Sequence, residues 1–492
     1  MATLRLAAAA DPPAARAPNL VYILCDDLGY GDVHYLNPDR GKIPTPNMDR
    51  LGAQGMAFTD CHASSSVCTP SRYSILTGRY CWRTRLQKYV LDGDSPPLIA
   101  PDRLTVATLL KRHGYATAAI GKWHLGMTFG HDRYVDRIVD GPTHHGFDAY
   151  FGISASLDMP PFVFIENDRF TETPTVTKKW IRTGPAAKDF EAIDVLPTLT
   201  RKAVEYIAAR GADKKPFFLY LPLNSPHTPI VPTPQWQGKS GLGSYGDFVM
   251  ETDDSLGQVL RAIDAAGLRD NTLVMFTSDN GCSPMAGIPD LERQGHYPSA
   301  QFRGYKADIW DGGHRIPLLV RWPGKVKPAS YCDQLVCLSD LLATCGDLQG
   351  DKLPDNAGED SASLLPALLG LGKAPPHEAI VHHSINGLFA IRRGHWKLEL
   401  CPGSGGWGKP GDDQARKQGL PPMQLYNMHD DVGEKVNLQG ENAKIVADLS
   451  QLLGKYIADG RSTPGAAQKN DVAVDIWKVK KQGGDEHVYL TE

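Results

Sequence analysis

The stretch Asn19-Leu-Val-Tyr-Ile-Leu-Cys-Asp-Asp-Leu-Gly-Tyr-Gly-Asp32 opens with five consecutive apolar residues, Leu20 to Leu24, and turns at once to the paired carboxylates Asp26 and Asp27. A short apolar run of this kind predicts a strand covered on both faces, as in a parallel sheet. Similar runs return at Ala116 to Ile120, Phe217 to Leu221, Leu273 to Phe276 and Pro317 to Val320. Between them lie longer segments of helical composition, among them Thr105 to His113 and Ser255 to Ala266, with apolar positions three and four apart. The alternation predicts an α/β protein with a large mixed, mostly parallel sheet flanked by helices.

From about Ala379 the pattern changes to two short strand-like pieces around Asn386-Gly387, a hairpin signal. A smaller C-terminal antiparallel α+β domain is therefore expected. The segment Pro354 to Pro376, broken by Gly, Asp and Pro, approaches the boundary, which places a first, larger domain at 19–376 and the second domain at 377–492. Within the latter, glycine-rich Cys401 to Pro422 is expected to form a long loop. Residues 1–18 read as a disordered lead, because their Ala-rich stretch is short and interrupted by Arg and so makes no clear export signal.

Composition narrows the function. The chain has 492 residues, with 52 Lys and Arg against 56 Asp and Glu, a net charge of −4 that speaks against a nucleic-acid binder working by bulk electrostatics. At 41% hydrophobic and 22% charged residues it has apolar mass for a large core, and disorder is excluded for most of its length. No apolar run reaches the ~18 residues of a membrane-spanning helix. Nine cysteines, scattered and without any CxxC, fit neither a dense disulfide framework nor a zinc ribbon.

Ligands of open parallel sheets bind beyond the carboxyl ends of the strands. Asp26 and Asp27 follow the first run; Thr277-Ser278-Asp279-Asn280-Gly281 follows the run at Leu273 to Phe276. Two such clusters repel each other unless a cation lies between them, and hard oxygen ligands suit Ca2+ or Mg2+. Either cluster alone serves equally well to cap the following helix; together they favour a metal. In His62 to Tyr80, Pro70 suits a helix start, and Arg72 falls four residues after Cys68 and so on the same face. Chemistry alone leaves open whether Cys68 is a small buried hydrophobe or a reactive group.

Cys68-Thr69-Pro70-Ser71-Arg72, continued by Thr77-Gly78-Arg79, resembles the C-x-P-x-R signature of the type I sulfatases of the alkaline phosphatase superfamily. Gly114-Tyr115-Ala116-Thr117 leading into Ile120-Gly121-Lys122-Trp123-His124-Leu125-Gly126 is similar to the second signature of that family. Further family features occur in order: Asp26-Asp27 in a D-D-x-G-Y-G-D context, Pro226-His227, Ser278-Asp279-Asn280-Gly281, Gly312-Gly313 with Arg315, and a closing Leu425-Tyr426-Asn427 with Glu434 and Asn437-Leu438. The resemblance spans about Asn19 to Leu438.

The resemblance implies an alkaline-phosphatase-like fold and hydrolysis of sulfate monoesters. It further implies that a formylglycine-generating or other sulfatase-maturing enzyme converts Cys68 to Cα-formylglycine, whose gem-diol attacks sulfur. Asp26, Asp27, Asp279, Asn280 and the modified Cys68 are the implied ligands of a cation, Ca2+ or Mg2+. Arg72 is expected to anchor the gem-diol, Lys122 to bind sulfate, His124 to act as base in releasing sulfate, and His227, with Lys306 beside it, to protonate the leaving alcohol. Ser156 is expected near the sulfate; Asp158, Asp311 and His314 are candidates for sugar hydroxyls and Trp310 for stacking. His144, His145, His382 and His383 have no motif context and are assigned no role.

A sulfated saccharide is the expected substrate, with neither nucleic acid nor membrane as partner, and a periplasmic or secreted location is expected by family analogy. Competing readings are a phosphonate monoester or phosphodiester hydrolase of the same superfamily and a non-catalytic sugar-binding relative. If Cys68 is modified, eight cysteines remain, an even number that permits disulfides without requiring any.

Overall fold

The computed structural model describes residues 17–213, 215–372 and 377–478. The lead expected at the N-terminus lies, up to residue 16, outside the described residues, as do residues 373–376 just before the expected boundary.

The centre is a ten-stranded sheet. Its middle strand, β1 (Asn19–Asp26), is buried along its whole length. Alternate side chains feed two apolar clusters: Leu20, Tyr22 and Leu24 go to one face, Val21, Ile23 and Cys25 to the other. That two-sided burial is why the run is apolar without a polar alternation. β2 (Ala116–Lys122), β3 (Phe217–Pro226) and β4 (Thr272–Ser278) join it in parallel, with β1 between β3 and β4 and with β2 on the far side of β3. Helix α1 (Cys68–Thr77) packs on the Leu20 face, and α2 (Val195–Gly211) and α3 (Gly243–Ala265) cover the other.

The run at Pro317 to Val320 pairs with β4 as strand Leu318–Arg321, and that pair is antiparallel, which makes the sheet mixed. The helix expected from Ser255 begins twelve residues earlier, at Gly243. Its first turns are studded with buried acids that break the apolar stripe. Asp247 accepts from Gly238 and Ser240, and Asp253 accepts from the amides of Asn47 and Met48 at 2.8–3.1 Å. Burial raises the Asp253 carboxyl to about 6.

Beyond residue 377 the strands Ile380–His383, Phe389–Arg393, Trp396–Glu399 and Gln424–Asn427 form an antiparallel four-stranded sheet backed by helix Ala443–Ala458. The Asn386-Gly387 turn presses on the main body: a Cβ on Gly387, whose φ is +76°, would collide with the Gln87 carbonyl. Residues 401–422 run largely without regular structure around the short helix Asp412–Lys417. All nine cysteines are buried. Among the described residues, no helix is long and apolar enough to cross a membrane.

Candidate active site

Four neighbouring parallel strands end on the same side of the sheet, and each ends in polar chemistry. β1 slips register between Leu24 and Asp26 and then turns through Asp27 at φ +67°. β4 runs into Asp279 and Asn280, and the Asp27 amide donates to Asp279 Oδ1 at 3.3 Å. β2 ends at Lys122, followed by His124 in the left-handed region at φ +57°. β3 delivers His227 directly after Pro226. Into this arc points the N-terminus of α1, where Cys68 is 2% exposed.

The charges are paired across the site. Arg72 places Nε and Nη2 on Asp279 Oδ2 at 2.9 and 2.7 Å, and its Nη1 donates to the Lys122 carbonyl at 3.0 Å. Lys122 Nζ is 2.7 Å from Asp26 Oδ2, and Lys306 Nζ lies 2.7 and 2.8 Å from the two Asp27 oxygens. The Cys68 thiol donates to Asp26 Oδ1 at 3.5 Å. Burial works against the Asp26 charge, but Lys122, His227 and Arg72 outweigh it and hold this carboxyl well below the usual range. At Asp279 burial wins over Arg72, and its carboxyl is raised.

The two histidines present different faces. His124 Nε2 donates to the Leu91 carbonyl at 2.7 Å, which leaves Nδ1 as a bare lone pair, buried and without a partner. Burial, then Lys122 and Arg72, holds this ring well below its ordinary value, so it is neutral near pH 7. His227 donates from Nδ1 to the Thr228 carbonyl at 2.6 Å and turns Nε2 towards Asp27, 3.7 Å from Oδ2. Asp158 Oδ1 is 4.0 Å from its Nδ1.

A divalent cation fits this donor set. Ligand atoms of Asp26, Asp27, Cys68 and His227 lie within 4.8 Å of one another. Asn280 donates Nδ2 to Asp27 Oδ1 at 2.8 Å, while its Oδ1 is buried with no hydrogen-bond partner. The orphaned Asn280 amide oxygen and the carboxylates of Asp26, Asp27 and Asp279 add hard oxygen donors of the kind that suit Ca2+ or Mg2+.

Ser156 follows strand Ala149–Ile153, beside Ser154, whose carbonyl accepts from the His124 amide at 2.9 Å. The hydroxyls of Ser154 and Ser156 are buried and unpartnered. So are both side-chain atoms of Asn224, three residues before His227, which the sequence reading passed over. A polar residue closing a long buried apolar run was the signal for it.

Trp310, Asp311 and His314 do not stand where sugar contacts were expected. Trp310 is 2% exposed, donates Nε1 to Gln424 Oε1 at 3.2 Å and carries the Arg303 guanidinium 3.6 Å above its ring. Asp311 binds Lys397 Nζ at 2.9 Å and Arg315 at 3.1 Å. His314 stacks on His382 with ring centres 4.0 Å apart and meets His62 through the two Nδ1 atoms at 3.0 Å. All three are packing residues between the main sheet and the C-terminal sheet, so their polarity serves an internal network. His382 belongs to the same stack.

Comparison with known proteins agrees with the geometry. The family model described as Sulfatase matches residues 18–350. An N-acetylgalactosamine-6-O-sulfatase of Bacteroides thetaiotaomicron is 35% identical over 491 aligned residues, covering 89% of this chain and 93% of the relative. Arylsulfatase A of Homo sapiens is 34% identical over 481, covering 92% and 89%. A solved structure described under the metabolism of multiple glycosaminoglycans by Bacteroides thetaiotaomicron superimposes with a TM-score of 0.80 at 32% identity, covering 90% of this chain and 99% of the other. With polar strand ends converging on a buried C-x-P-x-R helix, and with likeness over nearly its whole length, the chain belongs to the sulfatase family, the sulfuric ester hydrolases.

Proposed function

We propose that the protein hydrolyses sulfate monoesters of a sulfated carbohydrate, outside the cytoplasm, after a maturing enzyme has converted Cys68 to Cα-formylglycine. The observation that carries this reading is the position of Cys68: buried, first in its helix, 3.5 Å from Asp26 and surrounded by Arg72, Lys122 and Lys306. The relatives add the substrate class, since one is an N-acetylgalactosamine-6-O-sulfatase. In the matured enzyme the hydrated aldehyde would supply the hydroxyl that attacks sulfur; Asp26, Asp27, Asp279 and Asn280 would hold a Ca2+ or Mg2+ ion, whose positive charge would favour the ionised form of that hydroxyl.

The chain's own residues do the rest. Lys122 and Lys306, each facing a carboxylate on one side, offer ammonium protons to the sulfate oxygens. Arg72, tied to Asp279 and to the Lys122 carbonyl, fixes the helix start against the carboxylate cluster. His227 delivers a proton from Nε2 to the leaving alcohol oxygen, its ring oriented by the Nδ1 bond to Thr228. His124, neutral and with Nδ1 bare, accepts the proton released as sulfate departs. Ser154, Ser156 and Asn224 bring unpartnered polar groups for sulfate or the first sugar.

One set of rates tests this. Matured wild-type protein is expected to cleave a sulfated saccharide and an aryl sulfate faster than an aryl phosphodiester; the reverse order overturns the sulfatase assignment in favour of a phosphodiesterase. In the same assay His227→Ala should lower kcat/KM on the saccharide by roughly 10²–10⁴ and on the activated aryl sulfate far less, because only the poor leaving group needs a proton. Equal losses on both remove His227 from the acid role.

A further inference from the structure

Among the described residues, two of the chain's tryptophans are strongly exposed: Trp407 at 45% and Trp477 at 49%. Trp477 sits one residue before the described chain ends. Trp407 stands in a different setting, the glycine-rich loop beginning at Cys401, where most of its neighbours are buried.

That loop is fastened to the segment that carries Lys306. The Asp308 carboxylate accepts from the Gly408 amide at 2.6 Å and from the Trp407 amide, and the Ile309 amide donates to the Ser404 carbonyl at 2.7 Å. Both glycines flanking Trp407 are pressed onto residues 307–308: a Cβ on Gly406 would collide with the Ala307 carbonyl, and one on Gly408 with the Asp308 carboxylate. Ala307 in turn donates its amide to the Ser66 carbonyl at 2.8 Å, two residues before Cys68. A tryptophan left in water between two clamped glycines is held in place on a backbone two residues from a lysine of the site. Its exposed apolar ring is a cost to the free protein that burial against a ligand would recover. Exposed Lys409 adds a cation two residues along the same loop, which suits an anionic chain.

We propose that Trp407 is a specificity-determining residue: its ring is the stacking platform for the sugar unit adjoining the sulfated one, so that the site prefers oligosaccharides to isolated sugar sulfates. This rests on the sulfated-carbohydrate reading above and names a contact that reading does not supply. Pyranose rings present C–H faces that pack on aromatic rings, and a rigid side chain with two torsions loses little freedom in doing so.

The test compares sulfated mono-, di- and trisaccharides as substrates of matured wild-type, Trp407→Ala and Trp407→Phe proteins. In wild type KM should fall as the saccharide lengthens. Trp407→Ala should raise KM for the trisaccharide about tenfold, with kcat within about twofold, and erase the dependence on length, while Trp407→Phe keeps most of it. A direct readout uses the Cys68→Ala protein: calorimetric binding of the sulfated trisaccharide should weaken about tenfold when Trp407→Ala is added. An unchanged KM at every length overturns the proposal, and so does a parallel loss of kcat on all substrates, which assigns Trp407 a purely structural role. Turnover of an aryl sulfate but of no saccharide overturns it while sparing the sulfatase reading. Failure on every sulfate ester overturns both.

Discussion

The Cys68→Ala protein is expected to lose turnover of all sulfate esters by about four orders of magnitude or more, as enzymes do when a nucleophile is removed, while still binding substrate. The structure separates the two effects. Cys68 makes one long side-chain hydrogen bond, to Asp26, and sits at a helix start where alanine is well tolerated, so the fold has little to lose. Arg72, Lys122 and Lys306 keep their carboxylate partners without it and still present positive charge to a sulfate. Steady-state rates on an aryl sulfate, with calorimetry on a sulfated saccharide, measure both quantities. An active Cys68→Ala protein contradicts the mechanism, and one that neither turns over nor binds shows that Cys68 holds the pocket rather than reacting in it.

The largest effect on stability is expected at Lys397. Its ammonium is fully buried and touches Asp311 at 2.9 Å, Glu399 at 3.0 Å and Glu434 at 2.6 Å. Burial opposes its charge, but the three carboxylates outweigh burial and raise its pKa. Glu434 also takes the Asp311 amide at 2.7 Å, so the cluster ties the C-terminal sheet to the loop that follows Lys306. Lys397→Met keeps most of the unbranched stem, one atom short of the nitrogen, and removes the charge. It should cost about 3–5 kcal/mol at pH 7, since breaking a buried pair leaves charge uncompensated.

The pH dependence has a definite sign. Burial already raises the Glu434 carboxyl, and removing the ammonium that opposes this lifts it further above its unfolded value of about 4. The penalty is then greatest above the folded pKa and fades as pH falls towards the unfolded one, so the variant should lose less stability at pH 5 than at pH 7. Urea unfolding at the two pH values tests this. A cost below about 1 kcal/mol, the worth of an exposed pair, contradicts the role given to the cluster.

The strands were legible because two-sided burial writes itself as an unbroken apolar run, and β1, β2, β3 and β4 all carry one. Direction was not legible: the four residues of Leu318–Arg321 read the same whether they run with β4 or against it. The convergence of Asp26 and Asp27 with Asp279 and Asn280 follows from two strands that are neighbours and parallel, which the strand-end rule anticipates.

Cys68 and Lys306 reach the same place from a helix start and a loop that no periodicity describes, and only the family resemblance marked them; His227 stands at the end of β3, where the strand-end rule also points. Trp310, Asp311 and His314 show the opposite failure. Their polar character suggested a surface, but the partners that bury them, Lys397, Gln424 and His382, come from residues 68 to 114 positions further on. Trp407 was hidden for a similar reason, because a glycine-rich segment reads as loose loop until Asp308 is seen to fasten it.

The central claim is that Cys68 is the residue converted and used. Trypsin releases residues 51–72 as one peptide carrying both Cys61 and Cys68. Conversion of Cys68 replaces its sulfur and two hydrogens by one oxygen, while buried Cys61 stays a thiol and serves as an internal reference after denaturation and alkylation. For protein produced together with a sulfatase-maturing enzyme, the mass of this peptide should show one alkylated cysteine, at position 61, and an aldehyde at 68. A peptide carrying two alkylated cysteines, from protein that nonetheless hydrolyses a sulfate ester, would contradict the account.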